Sequence, residues 1–437
     1  MPDSQAPFSR RSKIALLASV GLILLTFGGL FLKKSPDMIH PPADPVALTA
    51  TTVQKNALPV QLPDGSGEPA QLQISGSHTI VYEQNNALYF VSTPNGTPQT
   101  IEAPGYLYNR AVPPLLLAGN QLLYSGKGLW VTNISQGGHA QQVATIADDQ
   151  VVTSLVLSAD GRTIAWSTAP ANGQGIVRIY AGPLRSSSLV YQHLATNCPC
   201  FRVFSFADTH QSSGQTTLLL SNDQGDHQNS ASGLWSLSVT PGVSHEPQSL
   251  LSGNPPQLPL ARTGSTLLYS TSNGFVPAPT DNSAPDDVAA LNYANGLAVS
   301  TLNDSATALQ TTQVVLPEQR YTPNFAAYHW VMSPRFSPDG KTLIYVLFSS
   351  DAQAPFARHS ALYTVHLDGT GAAIRADKPQ LLVTSWSRFV EPGPWLNNDI
   401  LTFYADNAVY AIDTQTGATA LLAHLTTYGH VVAVTGS

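Results

Sequence analysis

Charged residues are scarce in this chain: Asp, Glu, Lys and Arg make up 11% of its 437 residues, under half of the ~25% usual for globular proteins. The formal net charge is −7. With no basic stripe, nucleic acid is excluded as an expected partner. Cysteine is nearly absent, with two residues in all, too few for a disulfide framework. Local catalytic signatures are missing too. The sequence has no G-x-S-x-G nucleophile elbow, no H-E-x-x-H, no C-x-x-C pair, no Gly-rich phosphate loop and no Ser-x-Asp-x-Gly-x-Thr-Trp box. No catalytic residue, metal site or cofactor is therefore assigned, and the balance leans away from an enzyme.

What is present begins with a hydrophobic fraction of 43%, which suits a globular protein whose polar surface is Ser, Thr, Asn and Gln. Arg10, Arg11 and Lys13 precede an uncharged run from Ile14 to Leu32, closed by Lys33 and Lys34. Such a run spans a hydrocarbon core of roughly 30 Å as a helix. It exceeds the apolar region of a cleaved signal peptide, and no A-x-A site follows. The reading is a transmembrane signal-anchor over 14–32 with a cytoplasmic N-terminus (1–13); a cleaved signal is the alternative. Residues 33–50, with Pro36, Pro41, Pro42 and Pro45, read as an extended linker. Residues 51–437 are placed outside the cytoplasm as one β domain, so the expected location is the cell membrane, single-pass.

From about residue 70 two short patterns alternate, and no amphipathic helix competes with them. One is an apolar pair ending in an aromatic: Ile80-Val81-Tyr82, Leu122-Leu123-Tyr124, Ile164-Ala165-Trp166, Leu267-Leu268-Tyr269, Leu343-Ile344-Tyr345 and Leu401-Thr402-Phe403-Tyr404, with Leu218-Leu219-Leu220 in the fourth slot. The other is a small residue, an aliphatic and usually an aromatic, as in Ala87-Leu88-Tyr89 and Gly128-Leu129-Trp130. A turn precedes each copy of the first. The steps from Tyr82 to Tyr124 and from Tyr124 to Trp166 are 42 residues each, the length of a four-stranded propeller blade. The predicted fold is all-β, a seven-bladed β-propeller. Residues 430–435 read as a further strand and 48–62 as one or two. These ends either meet to close the ring or make an eighth blade.

Leu157-Ser158-Ala159-Asp160-Gly161-Arg162-Thr163-Ile164-Ala165-Trp166 and Phe336-Ser337-Pro338-Asp339-Gly340-Lys341-Thr342-Leu343-Ile344-Tyr345 resemble the WD40-like PD40 repeat of TolB-type propellers. They also resemble the N-terminal propellers of prolyl-oligopeptidase-type peptidases. The resemblance covers about residues 70–425 and implies blade architecture rather than an activity. Neither the α/β domain of TolB nor a hydrolase domain is expected here.

In such a blade, strands A to D run outward from the axis. The B–C turns and D–A crossovers share one face, and Ser337-Pro338-Asp339-Gly340 is an A–B turn on the other. The B–C step is long in blades three to six, with insertions from Ser167 to Gly175, Asn222 to Ser232, Ser272 to Asn295 and Ser349 to Ser360. Long loops on a rigid scaffold are where binding sits. The candidate binding residues on this face are Asn222, Asp223, Asp226, His227, Asp281, Asp286, Asp287 and Asp351. Asn222 to His227 loosely resembles a calcium loop but lacks the D-x-D-x-D-G order and closing Glu, so a solvated loop is expected. Cys198-Pro199-Cys200 falls in a D–A crossover. Outside the cytoplasm the pair reads as a disulfide candidate, with two buried thiols, or a soft-metal or redox site with His193 or His210, as alternatives. The expected function is binding or scaffolding of a protein or envelope polymer. A propeller hydrolase or lyase acting on glycans or peptides is the alternative.

Overall fold

The computed structural model describes residues 60–61, 72–74, 76–93, 96–109, 111–135, 137–195, 201–207, 216–222, 233–240, 243, 245–251, 257–271, 296–317, 329–350, 358–369, 373–385, 390–405, 407–426 and 428–436. The proposed anchor from Ile14 to Leu32 and the Pro-rich linker lie outside them. Among the described residues no helix is long and apolar enough to cross a membrane.

Among the described residues seven sheets follow one another along the chain, each with a four-stranded antiparallel core, and in blades 2 to 7 those four strands pair in sequence order. Blades 2 to 7 occupy residues 115–144, 150–195, 201–251, 259–316, 329–385 and 391–424. Blade 1 takes strands B, C and D from His78–Gln84, Ala87–Thr93 and Gln99–Thr100. Its strand A is the C-terminal His430–Gly436. The fold is thus a seven-bladed propeller whose ring is closed by its last strand, with Val81 opposite Ala433 and Ile80 opposite Val434. Closure removes the free inner edge that an open ring would expose.

The N-terminal expectation needs correcting. Val60–Gln61 does not join the terminal blade. It pairs in parallel with Val383 and Thr384 on the outer strand of blade 6. The inner position beside His78–Gln84 is already filled by His430–Gly436, so no eighth blade forms.

Strand B of blade 6, Thr342–Ser350, shows why the sequence repeats. Leu343 and Tyr345 pack with Leu268 and Val299 of blade 5, whereas Ile344 and Val346 pack with Leu401 and Phe403 of blade 7. All four are at most 1% exposed, because a strand sandwiched between two blades must be apolar on both faces. The same arrangement closes the ring, with Ile80, Tyr82 and Val431 of blade 1 against Tyr404 and Val409 of blade 7.

The turn before this strand is held by its own side chains. Ser337 Oγ donates to Asp339 Oδ1 (2.6 Å) and accepts from the Thr342 N–H (2.9 Å), and Asp339 Oδ1 also accepts from the Lys341 N–H (3.1 Å). Gly340 supplies the left-handed position at φ 73°. Ser158, Asp160, Arg162 and Thr163 repeat this pattern at 2.6, 2.9 and 3.1 Å, with Gly161 at φ 69°. In both copies the serine hydroxyl holds the Asp carboxyl below its usual range, more than any other contact does. In both turns the serine hydroxyl and an aspartate oxygen are thereby used in building the turn.

The loop expectation for blade 3 also changes. Strand B continues through Pro170 and strand C starts at Gly175, leaving only residues 171–174 as a turn. Ala171 N–H donates to Asp149 O (2.8 Å) and Gly173 N–H to Pro170 O (3.0 Å). Ser167 and Thr168 hid the strand because they are hydroxylic, yet both are at most 1% exposed. Ser167 Oγ bonds Thr153 Oγ1 (2.8 Å) and Ser154 Oγ (2.5 Å), and Ser154 Oγ accepts the Val203 N–H of blade 4 (2.8 Å). In blade 6 the ladder extends to Ser350 paired with Arg358, which narrows the insertion to residues 351–357.

Candidate functional site

Buried charge is the rarest feature of a chain this poor in charge. Glu83, Glu391 and His430 are 4%, 8% and 7% exposed, and they converge. Each occupies the end of a strand on the face of the B–C turns and D–A crossovers. Glu83 is the penultimate residue of strand B in blade 1. Glu391 opens strand A of blade 7, and His430 opens strand A of blade 1. Strands A are innermost, so the cluster lies toward the axis.

His430 Nδ1 is 2.6 Å from Glu391 Oε2, which also accepts from the Tyr428 hydroxyl at 2.9 Å. On the far side of the imidazole, Nε2 is 4.0 Å from Glu83 Oε2. With Nδ1 protonated toward Glu391, the carboxylate fixes the tautomer and ring orientation. Tyr108, from the blade 1 to blade 2 crossover, stacks on His430 with ring centroids 4.1 Å apart and planes 10° apart. Tyr428 meets the same ring edge-on at 4.7 Å. The imidazole is therefore held by a carboxylate, an aromatic face and an aromatic edge.

The supporting contacts explain the placement. The Asn85-Asn86 turn after Glu83 takes positive φ at both residues, 54° and 59°, a conformation that Asn tolerates better than most residues. The Asn86 N–H donates to Glu83 Oε1 (2.8 Å), and Asn86 Oδ1 accepts the Tyr108 N–H (2.9 Å). One tight B–C turn thus fixes both a carboxylate and the stacked tyrosine. Gln84 Oε1 accepts from Thr426 Oγ1 (3.2 Å), tying the crossover that carries Tyr428 to blade 1.

Tyr106, from the same crossover as Tyr108, is 6% exposed, and its hydroxyl is buried with no hydrogen-bond partner. Burial first, and the Glu83 charge second, push its phenol far above the ordinary tyrosine range. Among the described residues no group of three His, Cys, Asp or Glu side chains is disposed to hold a metal ion. Glu83 and Glu391 approach opposite nitrogens of His430 instead of converging on one point.

Of the residues singled out from the sequence, Asn222 is described. It ends strand B of blade 4, opposite Phe201, on the expected face but on a different blade from the cluster. Asp223, Asp226, His227, Asp281, Asp286, Asp287, Asp351, Cys198 and Cys200 lie outside the described residues. Glu83, Glu391, His430, Tyr106, Tyr108 and Tyr428 were not legible as a set. Their one signal was a charged or imidazole residue abutting an otherwise apolar strand, as in Ile80-Val81-Tyr82-Glu83, Val390-Glu391 and His430-Val431-Val432.

No family model matches the chain, and no curated protein matches it. Solved structures do overlay on it. An oligogalacturonate lyase from Vibrio parahaemolyticus is 11% identical at a TM-score of 0.45, covering 81% of this chain and 88% of its own. A protein from Lactobacillus plantarum is 12% identical at 0.44, covering 83% and 99%. The periplasmic gluconolactonase of Pseudomonas aeruginosa is 12% identical at 0.42, covering 82% and 99%. Likenesses this distant carry no argument about activity, and the assignment of this chain as a seven-bladed β-propeller rests on its own seven sheets.

Proposed function

We propose that this chain is a membrane-anchored, extracytoplasmic binding or scaffolding propeller for a protein or an envelope polymer. Its recognition face is the one that carries the B–C turns and D–A crossovers. The observation that supports this most directly is the gathering of Glu83, Glu391, His430, Tyr108 and Tyr428 at strand ends on that face. On the opposite face, the Ser158–Asp160 and Ser337–Asp339 side chains bond within their own turns. The proposed anchor from Ile14 to Leu32 would hold the propeller at the membrane surface, within reach of envelope material.

A propeller enzyme acting on glycans or peptides is the second reading, and the Glu391–His430 pair favours it. An imidazole oriented by a carboxylate is the arrangement of a general base. Co-sedimentation of the full-length protein with isolated cell-wall polymer, alongside a Glu83→Gln, Glu391→Gln double variant, tests the binding reading. Retention by the parent and loss by the variant are expected. Equal retention by both would overturn the assignment of this face. Time-dependent shortening of the polymer by the parent alone would move the protein to the second reading.

A further inference from the structure

Around the ring, every step from strand to strand follows the continuous chain except one. In blade 1, strand A (His430–Gly436) comes from the C-terminal end, whereas strand B (His78–Gln84) comes from the N-terminal side. That step is held by pairing, from His78 opposite Gly436 to Glu83 opposite His430, with no backbone link across it. A non-covalent seam of this kind is where a ring can open while its blades stay folded.

The residues that precede strand B are fastened to the other side of this seam. Val60–Gln61 pairs with Val383 and Thr384 on the outer strand of blade 6. The Leu72 N–H donates to Thr419 O (3.0 Å), at the start of the outer strand of blade 7. Six positions after Leu72, His78 begins strand B of blade 1. Blades 6, 7 and 1 are thus met in ring order. Neither outer contact is needed to complete a blade, because blades 6 and 7 each have their own four strands. Pro59 and Pro63 bracket the blade 6 contact. Proline has no N–H to give to a ladder, so the pair limits how far this added edge strand can grow.

We propose that the N-terminal segment, held at Val60–Gln61 and again at Leu72, is a strap that latches the seam of the ring from outside. With the strap in place, a strand B that parts from His430–Gly436 is still tied to blade 7 across six positions. The two sides then stay close, and re-pairing is favoured by their high effective concentration. Glu83 ends the strand that the latch steadies, yet the proposal stands apart from any ligand of that cluster.

Hydrogen–deuterium exchange of the full-length protein, read by mass spectrometry of peptic peptides, tests this. The parent is compared with Leu72→Pro, which removes the donor to Thr419, and with a Val60→Pro, Gln61→Pro double variant, which removes both N–H groups of the blade 6 contact. None of these positions lies in the four-stranded core of a blade, so both variants are expected to fold. Unchanged exchange in Thr216–Asn222 of blade 4 checks it. In each variant, amides of His78–Gln84 and His430–Gly436 are expected to exchange about three- to tenfold faster, the worth of one backbone hydrogen bond. An unchanged seam, or faster exchange confined to residues 72–74 and 419–424, would overturn the latch. Equal acceleration in blade 4 would overturn it too, since the loss would then be global. Acceleration by one variant alone would overturn the two-point strap.

Discussion

Replacing Glu391 by leucine removes the acceptor shared by His430 Nδ1 (2.6 Å) and the Tyr428 hydroxyl (2.9 Å) and leaves both donors facing an apolar side chain. The carboxylate and the imidazole are well shielded, since Glu391 and His430 are 8% and 7% exposed. Solvent screening therefore offers little relief. Each stranded donor costs about 1–3 kcal/mol, so the two together are expected to cost about 2–6 kcal/mol. Glu391→Gln keeps an acceptor oxygen in place and is expected to cost less than half as much. In a double-mutant cycle, Glu391→Leu combined with His430→Leu should cost less than the sum of the singles, by a coupling of about 1.5–3 kcal/mol. That coupling is the worth of a hydrogen bond to a charged group. The pair joins blade 7 to the C-terminal strand of blade 1, so the loss falls on the seam that closes the ring. Urea denaturation followed by tryptophan fluorescence reads it, with Trp395 in the same strand as Glu391. A fall in midpoint at unchanged slope is expected. Additive singles, each below about 0.5 kcal/mol, would refute the idea that this cluster is a coupled unit.

Ser154→Ala strands the buried Val203 N–H that its hydroxyl accepts across the blade 3 to blade 4 boundary; a loss of about 1–3 kcal/mol in the same assay is expected. Phe403→Ala, at a fully buried position between blades 6 and 7, is expected to cost about 3–5 kcal/mol. Gly161→Ala and Gly340→Ala both place a side chain at positive φ, each costing about 1–2 kcal/mol. Gly340→Ala should be the worse of the two, because its new methyl meets Thr263 Cγ2 at 3.0 Å whereas Gly161 has open space. Ser337→Ala should raise the Asp339 carboxyl toward its usual range, since the Ser337 hydroxyl is the main cause of its lowering. The folded-state value is depressed, so this turn's contribution is present above the ordinary carboxylate range and lost as pH falls through the folded value. Carbonyl-carbon NMR titration of Asp339 below pH 5 checks it, and an unmoved titration would show that Ser337 is not the cause.

The blade count was legible because the inner strands obey a strong local rule. A strand covered on both faces is apolar at successive positions, and Ile80-Val81-Tyr82 or Leu343-Ile344-Tyr345 carries that rule in three residues. The Ser-x-Asp-Gly turns were legible for a similar reason, since their hydrogen bonds close within six residues. Strand B of blade 3 was partly misread as a loop because Ser167 and Thr168 are polar by type. Both are buried, Ser167 in a hydroxyl network with Thr153 and Ser154, partners that no local pattern announces.

The sequence by itself determined the all-β class, the repeat and the turn chemistry, because each is carried by residues that lie close together along the chain. Tertiary structure alone decided where the ring closes and which residues meet there. Glu83, Glu391 and His430 are separated by 308 and 39 positions, and each on its own is one polar residue at the end of an apolar strand. They become a site only when the last strand pairs with the first blade. That pairing brings an imidazole between two carboxylates and sets it against the ring of Tyr108.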